Sequence, residues 1–352
     1  MGCSGNGSAG STQWSPCRVA ATMPSVSTQI DTGADDAARI IGRTSHEAEE
    51  SPVSKILIGV DGSERSEDAV AFGRALALAS GAPVILAMAD RSEPLRPRGQ
   101  AHEVVLREDA GRTLARLVAA LDDVHNIELR PLVTTTSAAH ALQELAAEED
   151  AGIIVVGSSH TGRLGRIVPG STAERLLHGT PCPVAVVPLG YRTRALPARP
   201  VVGCAYRPTE DGEASLAAAE DLALALSASL RVTQVVQPLD RLYDSGELPT
   251  NFPELNASIY AETEATLIEQ VARLDSRLAT EARLQPGKPA DVLIGLSETV
   301  DILVVGTRGY GPLKAVLLGG VSGQVIRSAA CPVVVVPRRA PAAVGTGFAS
   351  AA

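Results

Sequence analysis

Most of this chain is written twice, and that constrains its fold more than any other feature. The segment IIVVGSSHTGRLGRIVPGS, ending at Ser171, matches ILVVGTRGYGPLKAVLLGG, ending at Gly320, and CPVAVVP from Cys182 matches CPVVVVP from Cys331. Gly157 and Gly306, Gly170 and Gly319, and Cys182 and Cys331 each stand 149 residues apart. Upstream, Gly59 of ILIGVDGS is expected to pair with Gly203 of PVVGCAYR, 144 residues on, so the second copy carries a few inserted residues. A slow repeat of this kind means one structural unit used twice, and 352 residues suffice for two domains of ordinary size with some chain to spare.

Within each copy, apolar strand-like runs alternate with helix-like segments. KILIGV, PVILAMA, IELRPLV, AGIIVVG and PVAVVP read as strands of the first copy, with helices between them; the first helix starts at capping-type residues and stops at Gly81. The second copy repeats the order, with a helix expected near 254–280 and a short third strand around Ala282–Leu284. Such alternation gives right-handed crossovers and a parallel sheet covered on both faces. Aromatic residues make up only 3% of the chain against 45% hydrophobic, so the cores must be built from Ala, Val, Leu and Ile, which suits doubly buried parallel strands.

Residues 1–52 are rich in Ser, Gly, Thr, Asp and Glu and read as a disordered tail, apart from a short helix expected in DDAARIIGR; residues 339–352 read as a flexible C-terminal tail. The two domains are expected at 53–190 and 198–338. The formal charge of −9, with no basic stripe, argues against a nucleic-acid partner. The five cysteines (Cys3, Cys17, Cys182, Cys204, Cys331) include no C-x-x-C pair, so buried thiols are expected in place of disulfides or zinc. No apolar run is long enough to span a membrane, the N-terminus lacks a secretory apolar region, and Asn6 departs from the myristoylation pattern. A cytoplasmic protein is the expectation.

The glycines at Gly306, Gly309 and Gly319 follow the strand DILVVG and precede a helix. In a parallel α/β sheet, ligands bind beyond the carboxyl ends of the strands, and a helix N-terminus offers unpaired N–H groups to a phosphate. Bare backbone at such a junction can approach an anion closely; a tight turn would use the same glycines. At the matching junction of the first copy, Ser171 and Thr172 can cap the helix and donate hydroxyls. Arg163, Arg166, Arg308 and Lys314 lie in the two loops, as phosphate partners or as solvated charges. Neither a Walker loop nor a G-x-S-x-G elbow is present.

The spacing G-x-x-G-x9-G followed by Ser or Thr, between DxLVVG and CPVVVVP, resembles the universal stress protein family, and ILIGVDGS resembles that family's opening strand. The resemblance extends over 53–338 as two tandem domains. It implies Rossmann-like, adenine nucleotide α-hydrolase-like domains, each with a five-stranded parallel sheet of order 3-2-1-4-5, and ATP, with or without Mg2+, as ligand. By that likeness Val60, Asp61 and Ala89 approach the nucleoside, while Gly157, Gly170, Ser171 and Thr172 hold the phosphates. The matching positions of the second copy are Val235, Gly306, Gly309, Gly319, Gly320 and Val321.

Both copies depart from the pattern. His160 stands at the middle glycine of the first copy, where its ring crowds the phosphates, donates to them or is simply solvated. In the second copy Arg207 takes the place of the aspartate, and Gly320 that of Ser or Thr. The first copy is therefore expected to bind more tightly, because a charged acceptor such as Asp61 is worth about 1.5–3 kcal/mol. The fifth strands are very apolar for sheet edges and are expected to pair with each other as an intramolecular pseudo-dimer, with a further homodimer left open. The resulting expectation is a non-enzymatic, ATP-binding regulator of the stress response with an unknown protein partner. A slow ATPase or self-phosphorylating protein, a nucleotide-free scaffold and a cyclic-nucleotide binder remain alternatives.

Overall fold

A computed structural model describes residues 54–91, 99–159, 165–194, 196–237, 252–307 and 320–337. Both tails, the DDAARIIGR helix, His160, Gly309, Gly319, Arg163, Arg308 and Lys314 lie outside the described residues.

The first half runs β1 (Lys55–Val60), α1 (Glu64–Ser80), β2 (Val84–Arg91), α2 (Gly99–Leu117), β3 (Ile127–Thr134), α3 (Ala138–Glu148), β4 (Ala151–Gly157), α4 (Ser171–Leu176) and β5 (Val184–Val187). The second runs β6 (Val201–Tyr206), α5 (Glu210–Ala225), β7 (Ser229–Val236), α6 (Phe252–Val271), β8 (Thr280–Pro286), α7 (Pro289–Leu296), β9 (Ile302–Gly306), α8 (Gly320–Ser328) and β10 (Val333–Val336). Helix α1 ends at Gly81, whose φ of 69° is left-handed and whose N–H closes the helix on the Ala77 carbonyl at 2.8 Å. Helix α6 stops at Val271, short of the expected 280, and β8 has seven residues.

Each half is a parallel sheet of order 3-2-1-4-5. The halves join through antiparallel pairing of β5 with β10 (Val184 opposite Val335, Val186 opposite Val333), giving one ten-stranded sheet, β3-β2-β1-β4-β5-β10-β9-β6-β7-β8. Strand residues alternate between two cores. Ile56 and Ile58 pack with Phe72, Leu114, Leu216 and Leu267 on the face of α1, α2, α5 and α6. Leu57 and Ile154 pack with Leu142, Leu293 and Val325 on the face of α3, α4, α7 and α8. Both cores run through both halves. Cys182, Cys204 and Cys331 are buried free thiols, each pushed up to about 12, chiefly by burial.

The strand register corrects one expectation. Leu57 lies opposite Ile154, and Gly203 lies opposite Leu303, the repeat mate of Ile154. Gly203 therefore corresponds to Leu57 and not to Gly59, which corresponds to Ala205. The shift is two residues, so it keeps each side chain on its face of the sheet, and it places Arg207 at the position of Asp61. Among the described residues, no helix is long and apolar enough to cross a membrane.

Candidate functional site

In each half the carboxyl ends of the first, second and fourth strands meet the N-termini of helices from both layers. In the first half the polar groups of this corner bond to one another. Asp61 Oδ1 accepts from Ser63 N at 3.0 Å, Ser63 Oγ at 2.5 Å and Ser66 Oγ at 2.9 Å, and the Asp61 N–H donates to Ser66 Oγ at 2.9 Å. This Asp-centred turn leads into α1, whose N-cap position is Ser63. Val60 beside it is buried, and Ala89 is half-buried on β2. A Cβ on Gly157 would stand 2.6 Å from the Arg65 carbonyl oxygen, so α1 packs directly on the end of β4. That close approach is sufficient reason for the glycine.

Beyond Gly157, Ser158 Oγ donates to the Val168 carbonyl at 3.0 Å and accepts from its N–H at 2.8 Å, drawing the loop's two ends together. Gly170 caps α4, with Ser171 exposed and Thr172 half-buried in its first turn. Arg166 does not face this corner. Its guanidinium donates to the Ser328 carbonyl at 2.8 Å and to Glu298 Oε1 at 2.6 Å, across the junction with the second half.

The same corner of the second half is open. A cavity of about 460 Å³ lies over the ends of β6, β7 and β9, bounded by α5, α7 and α8. Its walls include Ala205, Val235, Leu293, Val305 and Val321, with Thr233, Ser215, Thr307 and Ser322 as hydroxyl residues. Gly306 is held as Gly157 is: a Cβ there would stand 2.7 Å from Ser215 Oγ and 3.0 Å from the Asp211 carbonyl oxygen. Of the positions expected from sequence, Val235, Gly306 and Val321 line the cavity, while Gly320 begins α8 next to Val321.

Charge is unevenly placed. Arg207, Glu210 and Asp211 are the ionisable lining residues at the α5 end, and the first turn of α5 carries Glu210, Asp211 and Glu213. Tyr206 donates to Glu213 Oε1 at 2.6 Å, and burial, then this bond, holds its phenol above the usual range. The first turn of α8 has no acidic residue, so of these two helix starts α8 is the one suited to an anion.

Three of the hydroxyls serve the backbone. Ser215 donates to Asp211 O at 2.7 Å, Thr307 to Val336 O at 3.3 Å and Ser322 to Gly306 O at 2.9 Å. Thr233 differs: it is 2% exposed and its Oγ1 has no hydrogen-bond partner. Sequence reasoning missed Thr233, Ser215, Thr307 and Ser322. The period-2 rule would have found Thr233, which shares a face of β7 with Val235.

The sequence model of the universal stress protein family matches residues 52–188 and 201–337. The chain belongs to the universal stress protein family. A universal stress protein of Mycolicibacterium smegmatis is 30% identical over 296 residues, covering 81% of this chain and 97% of that protein. One from Mycobacterium tuberculosis is 29% identical over 217 residues, covering 57% of this chain and 69% of its own length. The fold of this tandem universal stress protein is shared by two solved structures. A universal stress protein of Archaeoglobus fulgidus superposes with a TM-score of 0.55 at 17% identity, covering 82% of this chain and 97% of the other. A functionally unknown protein of Pseudomonas aeruginosa gives 0.57 at 15% identity, covering 85% and 97%.

Proposed function

We propose that this chain is a regulatory protein of the stress response that binds an adenine nucleotide, ATP in the first instance, in its second half and without turning it over. The cavity carries the proposal. It is of ligand size, apolar with a few hydroxyls, and it lies at the strand ends where open α/β sheets take ligands. The nucleoside end fits between Val235, Leu293 and Val305. The phosphates fit toward the start of α8, where Gly320 leaves backbone N–H groups uncovered and no carboxylate competes.

The same lining supports binding without turnover. Its described residues include no histidine, lysine or cysteine, and the Ser215, Thr307 and Ser322 hydroxyls are all donating to carbonyls. Nucleotide would act instead by holding α8 and β9 together and so altering the surface offered to a protein partner. This reading moves the main site out of the first half. The Asp61 oxygen expected to meet a ribose is engaged by Ser63 and Ser66.

Calorimetric titration of the full chain with ATP tests the proposal. Val321→Asp sets a carboxylate at the α8 start and should weaken binding about tenfold or more, by roughly the energy of one charged contact, while Thr172→Asp in the first half should change it little. A wild-type chain that takes up no ATP, or one weakened only by Thr172→Asp, would sink it.

A further inference from the structure

We propose that Thr233 sets the specificity of the second-half cavity, its hydroxyl hydrogen-bonding the polar edge of the ligand's nucleobase; the inference rests on the nucleotide reading above. A buried hydroxyl without a partner is unfavourable, and native structures rarely keep one without a use. Thr233 Oγ1 is such a group, and Thr233 is one of the residues that line the cavity. Every other hydroxyl among the described lining residues has a protein partner. Ser215, Thr307 and Ser322 donate to carbonyls, Tyr206 donates to Glu213, and Thr209 Oγ1 accepts from the Gly212 N–H at 3.2 Å. Thr233 alone among them is left for a ligand.

The fold does not need this hydroxyl. The register pairs Leu57 with Ile85 and Gly203 with Arg231, so Thr233 corresponds to Ala87 of the first half. Ala87 is fully buried and serves the same strand position with a methyl group. The position is also deep. Thr233 lies two residues before Val235, about 6.6 Å further from the strand end, with Ala205 beside it in register and Leu293 in the same wall. Only the innermost part of a ligand reaches it, and with the phosphates at α8 that part is the base. A hydroxyl both donates and accepts, so it meets the mixed donor and acceptor edge of a purine. A cavity that hydrogen-bonds its ligand this way discriminates against analogues lacking the polar group, because their binding leaves Thr233 unpaired.

The test uses the full chain as wild type, Thr233→Val and Thr233→Ser, titrated with ATP and with purine riboside triphosphate, which lacks the 6-amino group. The wild type should prefer ATP. Thr233→Val keeps the shape and removes the hydroxyl, and should lose about tenfold in ATP affinity together with most of that preference. Thr233→Ser should stay within about threefold of wild type. The unliganded melting temperature of Thr233→Val should be unchanged or higher, since an unsatisfied polar atom is gone, which separates a ligand role from a structural one. Thr233→Val binding ATP like wild type with the same preference overturns the assignment of Thr233 alone, as does equal loss in Thr233→Ser. A wild type that binds neither compound overturns the nucleotide reading and this inference with it.

Discussion

In the first half, Asp61 and Ser66 hydrogen-bond across the turn between β1 and α1. In the second, Arg207 and Gly212 occupy those positions, and the Arg207 carbonyl sits where a side chain on residue 212 would begin. The strands and helices around the two corners correspond throughout. The contrast teaches that the sheet's carboxyl edge can be finished either by side chains that knot the turn or by backbone folded close under a glycine. The knotted corner uses its polar groups internally. The other opens into a cavity lined by groups that the first half lacks.

Exchanging residues between the corners should break this comparison most severely at Gly212. Gly212→Ser gives the second half the first half's residue, and its Cβ must displace the Arg207 carbonyl. A loss of about 3 kcal/mol is expected, at the upper end for overpacking, read as a fall in the midpoint of denaturant unfolding. Ser66→Gly, the reverse exchange, should cost only about 1 kcal/mol, because it removes hydrogen bonds without creating overlap.

A second difference lies within the matching helices. Asp221 of α5 is 9% exposed with Oδ2 unpaired, where α1 has Ala75. Burial, and then the neighbouring Glu220, push its carboxyl up from the ordinary 3.8 to about 6. The folded state thus holds this proton more tightly than the unfolded state. Stability is therefore lost as pH rises from about 4 through about 6, and the full cost is present at neutral pH. Asp221→Asn should stabilise the chain by about 2 kcal/mol at pH 7 and by almost nothing below pH 4, checked by unfolding both proteins across that range. An equal gain at both pH values would contradict a protonation origin.

Asp61→Ala should cost about 1–2 kcal/mol by removing the acceptor of the Ser63 and Ser66 bonds, whereas Arg207→Ala at the matching exposed position should stay within about 0.5 kcal/mol. A small effect is also expected at the junction of the halves. Arg166→Ala removes the bonds to Ser328 and Glu298 and should cost about 0.5–1 kcal/mol, seen as a small fall in melting temperature with nucleotide affinity unchanged.

Much of the architecture was legible because it is carried by patterns. The 149-residue offset exposed the repeat, alternating strands and helices gave the parallel sheet, and the valine runs of β5 and β10 pointed to their pairing. What failed depends on contacts between distant residues. Gly203 looked like the mate of Gly59 because glycine is conspicuous in sequence, but register is set by hydrogen bonds to β9, which no local pattern encodes. Gly157 and Gly306 read as ligand-facing glycines, and Gly306 does line the cavity; that each also makes room for the first turn of α1 or α5 had no signature in the sequence. Arg166 read as a phosphate partner or a solvated charge, and its actual partners are 132 and 162 residues away. Thr233 was passed over because threonine is an ordinary strand residue; period 2 puts it on the face of Val235, and its burial without a partner distinguishes it.

The antiparallel seam between β5 and β10 has a further consequence. When two separate copies of a domain meet edge to edge, their association obeys mass action and falls apart on dilution, and the same gene must supply both faces. Here a connector of a dozen or so residues holds the partners at high effective concentration whatever the protein level. Each half is then released from being its own mirror partner, so one can change its carboxyl edge while the other keeps an older form. A chain built this way can evolve two unlike corners without ever losing its dimer.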